Sequence, residues 1–324
     1  MANLKLGIQL WGQATDWPAQ LAAARRVDRL GYDHLWAWDH LFAIFGDTRQ
    51  PAFEAYATLA AWAAATDHVG LGLLVGANTF RNPGLVAKSI ATIDHISNGR
   101  AIMGLGAAWF DVEHEAFGLD FGTGFGQRLD WLDESVGAIS RLLRGESVTA
   151  GPGARYAFRD LVQRPMPLHK VPILIGGSGE RKTLRTVARY ADMWNAAEPV
   201  DVLEHKIAVL RDHCDAVGRD IAEIEFTLRV QLTLRDSAAE AERVWRAAMA
   251  HNGVPASGAP QGFANWAGTP EAIADRLRPF IGLGFRTIIS EQPAPHDVET
   301  IERFIGEVAP LLVERGPMME TSRH

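Results

Sequence analysis

Apolar residues along the chain alternate between two patterns. Short runs rich in apolar and β-branched residues, at positions 6–11, 34–38, 69–75, 101–105, 171–175, 193–196, 225–234 and 285–290, read as buried strands. Between them, helical spacing covers positions 16–30, 53–65, 83–96, 127–143, 182–190, 200–217, 238–251, 270–281 and 298–313. Local signals mark several ends. Asp16-Trp17-Pro18 opens one helix and Gly31 stops it, and Ser97-Asn98-Gly99 closes another. Eight strands alternating with helices predict a parallel sheet covered by helices, and in a chain of 324 residues they predict an α/β fold of the closed (β/α)8 TIM-barrel type. The doubly wound open sheet is the alternative, but Trp11-Gly12-Gln13 lacks the glycine-rich turn expected after its first strand.

Two segments break the alternation. Positions 145–170 predict a small excursion such as a hairpin, and 252–268 a loose insertion in or near a βα loop. No boundary divides positions 1–314, which read as one domain, and 315–324 form a polar tail expected to fray.

Composition narrows the function. The chain is 47% hydrophobic, and 39 acidic against 32 basic residues give a net charge of -7 with no basic run, which argues against a nucleic-acid partner. No apolar stretch approaches the roughly 20 residues of a membrane span, and the first ten residues lack the apolar core of a signal peptide. A single cysteine, Cys214, excludes an internal disulfide and fits a cytoplasmic location.

In a barrel of this kind the chemistry gathers at the C-terminal ends of the strands. Those ends carry Gln9 and Trp11, then Asp39 and His40, then Gly76, Ala77 and Asn78. Further on come Gly106, Ala107, Ala108 and Trp109, the turn Gly176-Gly177-Ser178-Gly179, and Trp194 with Asn195. The glycine turn between a strand and a helix has two readings: a phosphate cradle of backbone amides, or a tight turn that needs glycine for its conformation. Arg81, in a loop, is either an anion contact or an ion-paired surface group. Trp11, Trp109 and Trp194 are placed to line an apolar substrate pocket if they are not core. Eleven histidines are scattered without a His-x-His or His-Glu-x-x-His pattern, so no metal site is expected.

Three stretches, GYDHLWAWDHLF, TFRNPGLVAKSIATIDHISNGRAIMGLGAAW and PILIGGSGERKTLRTVARYADMWN, together with GTPEAIADRL and GFRTIIS near the end, resemble the bacterial luciferase-like superfamily. Within it, the chain looks like the coenzyme F420 (deazaflavin)-dependent oxidoreductase branch. The resemblance implies that Asp39 and His40 face the ring of the cofactor, with His40 as the acid or base. It places a non-prolyl cis peptide behind the ring, in the region of Val75, Gly76 and Ala77. It also makes Gly106 and Ala107 cofactor contacts and Gly176, Gly177, Ser178 and Gly179 the cofactor-phosphate loop.

The chain departs from the pattern at Gly106-Ala107-Ala108-Trp109-Phe110, where relatives often have Gly-Ala-Gly-Trp-Asn. Nearby Glu113 matches a frequently acidic position, and as a helix-start carboxylate it would equally offset the helix dipole. The expected activity is hydride transfer between F420 and a small organic substrate. The alternatives are an FMN-dependent monooxygenase and a non-catalytic flavin-binding protein of the same fold. Asp39 is expected either to hold the His40 tautomer or to contact the ring edge. A homodimer is expected from the resemblance alone.

Overall fold

The computed structural model of the chain describes residues 4–255 and 265–313. The first half runs β1 (Lys5–Leu10), α1 (Trp17–Arg29), β2 (His34–Ala37), α2 (Ala55–Ala65), β3 (Gly70–Leu73), β4 (Gly76–Ala77), α3 (Pro83–Ile96), β5 (Ala101–Gly106), α4 (Asp111–Phe117) and α5 (Phe125–Leu143). The second half runs β6 (Val148–Ala150), β7 (Phe158–Leu161), β8 (Ile173–Gly176), α6 (Thr183–Tyr190), β9 (Met193–Ala196), α7 (Val200–Val217), β10 (Glu225–Leu234), α8 (Ala238–His251), β11 (Asn265–Gly268), α9 (Pro270–Gly282), β12 (Phe285–Gln292), α10 (Val298–Arg303) and α11 (Ala309–Val313).

Strand pairing closes a barrel. β1 pairs in parallel with β2 and β12, and the ring continues through β3, β5, β8, β9 and β10 back to β12. β4 takes over the place of β3 beside the upper part of β5, so the two share one stave and the barrel has the expected eight. Helix starts follow their sequence signals. Asp16 accepts from the Ala19 amide with Pro18 in the first turn, and Asn82 accepts from the Gly84 amide ahead of Pro83.

The core has two layers. Leu, Ile, Val and Ala side chains pack between staves and helices, while Trp36, Leu74, Ile102, Leu174, Met193 and Ile289 fill the barrel interior. Trp36 fits because Gly72 on the neighbouring stave has no side chain; a Cβ there would lie 2.8 Å from its indole Cε3.

The non-prolyl cis peptide expected in the region of Val75 is present, between Leu74 and Val75. Four features differ from the sequence reading. The third strand, expected unbroken over 69–75, is divided at that peptide into β3 and β4. Residues 111–117 form α4, whose seven residues are too few to show a helical period. Asn265–Gly268 in the segment read as loose is a strand on the upper half of β10. The last helix contains a π turn at Phe304–Val308. The excursion in 145–170 is the antiparallel pair β6-β7. The rest of the loose segment, 256–264, and the tail, 315–324, lie outside the described residues. Among the described residues no helix is long and apolar enough to cross a membrane.

Candidate active site

A cavity of about 710 Å³ opens at the C-terminal ends of the staves. Its wall includes Asp39, His40, Val75, Gly76, Ala77, Gly106, Ala107, Trp109, Glu113 and the turn Gly176–Gly179, so the strand-end residues singled out from sequence converge there. A second cavity of about 630 Å³ lies to the side, between α1 and α10, and contains none of them.

His40 follows β2 and is fixed by a residue from outside the barrel. Its Nδ1 lies 3.0 Å from Glu113 Oε1, and Glu113 Oε2 accepts from the Leu41 amide at 2.7 Å. A carboxylate acceptor places the proton on Nδ1 and leaves the Nε2 lone pair for chemistry. The imidazole is packed edge-on against Trp38 and Trp109, with ring centroids 5.4 and 5.6 Å away. Glu113 is buried and reaches this position because α4 turns it inward. The adjacent His114 points elsewhere, its Nδ1 toward the Phe110 carbonyl and its Nε2 toward the Thr79 hydroxyl. Burial, outweighing that carbonyl, lowers its pKa.

Asp39 does not hold His40. Its Oδ2 accepts from the Ala77 amide at 2.9 Å and from Arg81 Nη1 at 2.6 Å, while Oδ1 takes Arg81 Nη2 at 3.0 Å. Arg81 is therefore an internal partner, bonded also to Glu54 and lying over the Tyr56 ring at 4.6 Å. Burial works against its positive charge, but the Asp39 carboxylate outweighs that and keeps its pKa above the ordinary arginine value. Asp39 thus ties the strand after the chain bulge to the end of β2.

Val75, at the bulge, projects across the barrel mouth between two glycines. A Cβ on Gly106 would lie 2.7 Å from Val75 Cγ2, and one on Gly176 would lie 2.9 Å from its Cγ1. These glycines leave room for Val75 as part of the cavity wall. Beyond them, Ala108 takes φ 61°, a left-handed conformation that glycine adopts without penalty.

At the other side, Gly177 has φ 109°, and its amide bonds to the Asn195 carbonyl. The amides of Ser178 and Gly179 have no hydrogen-bond partner among the described residues. The Ser178 hydroxyl donates to Glu198, which also accepts from the Ala197 amide.

Two tryptophans leave the pocket list. Trp11 lies behind Trp38 in a stack, 4.8 Å from it and 4.7 Å from Phe45, and its indole donates to Glu291 at 2.8 Å. Trp194 is fully buried against Phe226 and Phe285, and its indole donates to the Gly177 carbonyl. Alternation along β9 turns Trp194 away from the cavity, whereas Trp11 shares the side of Gln9 and is covered by Trp38. In their place stand Trp38, Gln9, Arg229, Glu198 and Glu291. Gln9 donates to the Leu74 carbonyl at the bulge, and Arg229 is ion-paired with Glu291. A strand-end argument reaches Gln9. The polar positions of β10 and β12 give it no such handle, because only the closed ring brings them to the mouth.

Residues 5–285 match the luciferase-like monooxygenase family. The chain belongs to this family. It is 28% identical over 314 residues to the F420-dependent glucose-6-phosphate dehydrogenase of Microbacterium testaceum (strain StLB037), covering 89% of this chain and 91% of that one. It is 30% identical over 230 residues to the 5,10-methylenetetrahydromethanopterin reductase of Methanolobus tindarius, covering 68% of this chain and 62% of the other. Among solved structures, an F420-dependent secondary alcohol dehydrogenase in complex with an F420-acetone adduct superimposes with a TM-score of 0.81 at 20% identity, over 96% of this chain and 99% of that one. This structural likeness shows a shared luciferase-like barrel.

Proposed function

We propose that this family member is an F420-dependent oxidoreductase in which His40 moves the substrate proton. The observation that carries the reading is the His40-Glu113 pair at the cavity wall, with Nδ1 engaged and Nε2 left for a substrate. The family relationship and the name of the similar F420-dependent glucose-6-phosphate dehydrogenase support the choice of deazaflavin.

The residues present fit such a group. The free amides of Ser178 and Gly179 and the Ser178 hydroxyl, ahead of α6, form a phosphate-sized cradle. Glu198 then yields the hydroxyl it holds. Val75, with Gly106 and Gly176 making room for it, supplies a flat apolar wall for a ring. When bound, the deazaflavin accepts or supplies hydride. The chain's own part is the proton: His40 Nε2 takes it from a hydroxyl during oxidation, or returns it to a carbonyl oxygen during reduction. Glu113 acts as a positioning residue that holds the imidazole in one tautomer, and the indoles of Trp38 and Trp109 shield it from water.

Equilibrium titration of the purified chain tests this. F420 fluorescence should be quenched at micromolar protein, with FMN bound more weakly. Preference for FMN, or binding of neither, overturns the reading.

A further inference from the structure

Four carboxylates line the cavity, and each has a partner: Asp39 on Arg81, Glu113 on His40, Glu198 on Ser178, and Glu291 on Trp11 and Arg229. Among the described residues the lining contains one Lys or Arg side chain, Arg229, and it is ion-paired with Glu291. An anion entering beside His40 would meet several negative groups, and recruiting Arg229 would mean taking it from Glu291.

The approach to the cavity is apolar. Trp109 and Phe125 line it yet remain 57% and 53% exposed, and α4 adds Val112 and Phe117, 43% and 53% exposed. Ile44, Leu74 and Leu129 extend this surface inward. Large apolar side chains clustered at a cavity mouth mark a surface that a ligand covers.

We infer that the substrate is an uncharged, largely apolar alcohol or ketone, and that phosphorylated sugars and other anions are excluded. This rests on the proposed hydride-transfer function. On oxidation, the carbinol C–H bond breaks and its electron pair leaves as hydride to the deazaflavin. The hydroxyl proton passes to His40 Nε2, and the carbonyl double bond forms.

The test separates the substrate from the cofactor. Thermal shift and tryptophan fluorescence of the chain without cofactor should respond to cyclohexanone, and Trp109→Ala should weaken that response; no response to cyclohexanone overturns the inference. With F420 bound, cyclohexanol should be oxidised with a higher kcat/KM than glucose 6-phosphate, and the reverse order overturns it. Failure of F420 to bind while cyclohexanone still protects the chain refutes the cofactor and leaves the substrate class standing. Binding of F420 with preference for the sugar phosphate does the opposite.

Discussion

Glu113 Oε1 sits 3.0 Å from His40 Nδ1, joining a side chain at the end of a barrel strand to one on a helix outside the barrel. If His40 moves the proton, His40→Ala should lower kcat by roughly 10²–10⁴-fold while F420 affinity, read by fluorescence, stays near wild type. Added imidazole should restore part of the rate. Wild-type kcat in this variant would remove His40 from the mechanism. Glu113→Ala should give a smaller loss with an altered pH profile, since it affects orientation and leaves the reacting nitrogen in place.

Asp39→Asn should destabilise the fold by about 3 kcal/mol, because it breaks a buried ion pair and leaves the Arg81 cation half served. Urea denaturation measures this. An unchanged midpoint would mean that Glu54 alone satisfies Arg81.

Val75 and Gly106 should be coupled. Gly106→Ala places a methyl 2.7 Å from Val75 Cγ2 and should displace that side chain into the cavity, weakening F420 binding. Val75→Ala should restore part of the affinity in the double variant. Strictly additive effects would show that the two residues act separately.

Ala108→Gly should raise stability by about 1 kcal/mol, the left-handed penalty of an L side chain less the extra freedom glycine gives the unfolded chain. A lower melting temperature would show that the Ala108 methyl makes contacts worth more than the strain.

Stability should fall as pH drops from about 6.5 toward 4. Burial lowers the pKa of His34 to about 4, against the pull of Glu225. It lowers His296 to about 4 as well, against a bond to the Trp11 carbonyl. Above the ordinary histidine pKa both states are neutral and stability is full. Below it the unfolded chain takes up protons that the fold refuses, costing up to about 3 kcal/mol per histidine. Denaturation midpoints across this range should show the slope, and His296→Gln should flatten it; an identical slope would clear His296 of any part in it.

The barrel was legible because buried parallel staves leave unbroken apolar runs, and because Asp16, Asn82 and the glycine stops mark helix ends. The strand-end rule carried Asp39 and His40 to the cavity. It failed for Trp194, since alternation along a stave decides which side chains face the mouth and a one-residue difference reverses it, and for Trp11 because Trp38 covers it. One of the two readings of Asp39, as the residue that holds the His40 tautomer, fails for a related reason. Asp39 is its neighbour in sequence, but successive side chains diverge, and Glu113 arrives from 73 residues away on a helix too short to announce itself. Arg81 had two readings, an anion contact or an ion-paired surface group; it is ion-paired but internal, because the carboxylate it serves, Asp39, is brought to it only by the fold.

Helix α4 buries two of its residues, Glu113 and His114, and each docks through a polar contact, one to His40 and Leu41 and the other to Thr79. Its outer face carries the exposed Val112 and Phe117. Any displacement of α4 that widens the entrance would draw the Glu113 carboxylate off the imidazole while leaving the staves intact. If His40 moves the substrate proton, the seating of this one seven-residue segment bears on that step, because it carries the carboxylate that orients the imidazole.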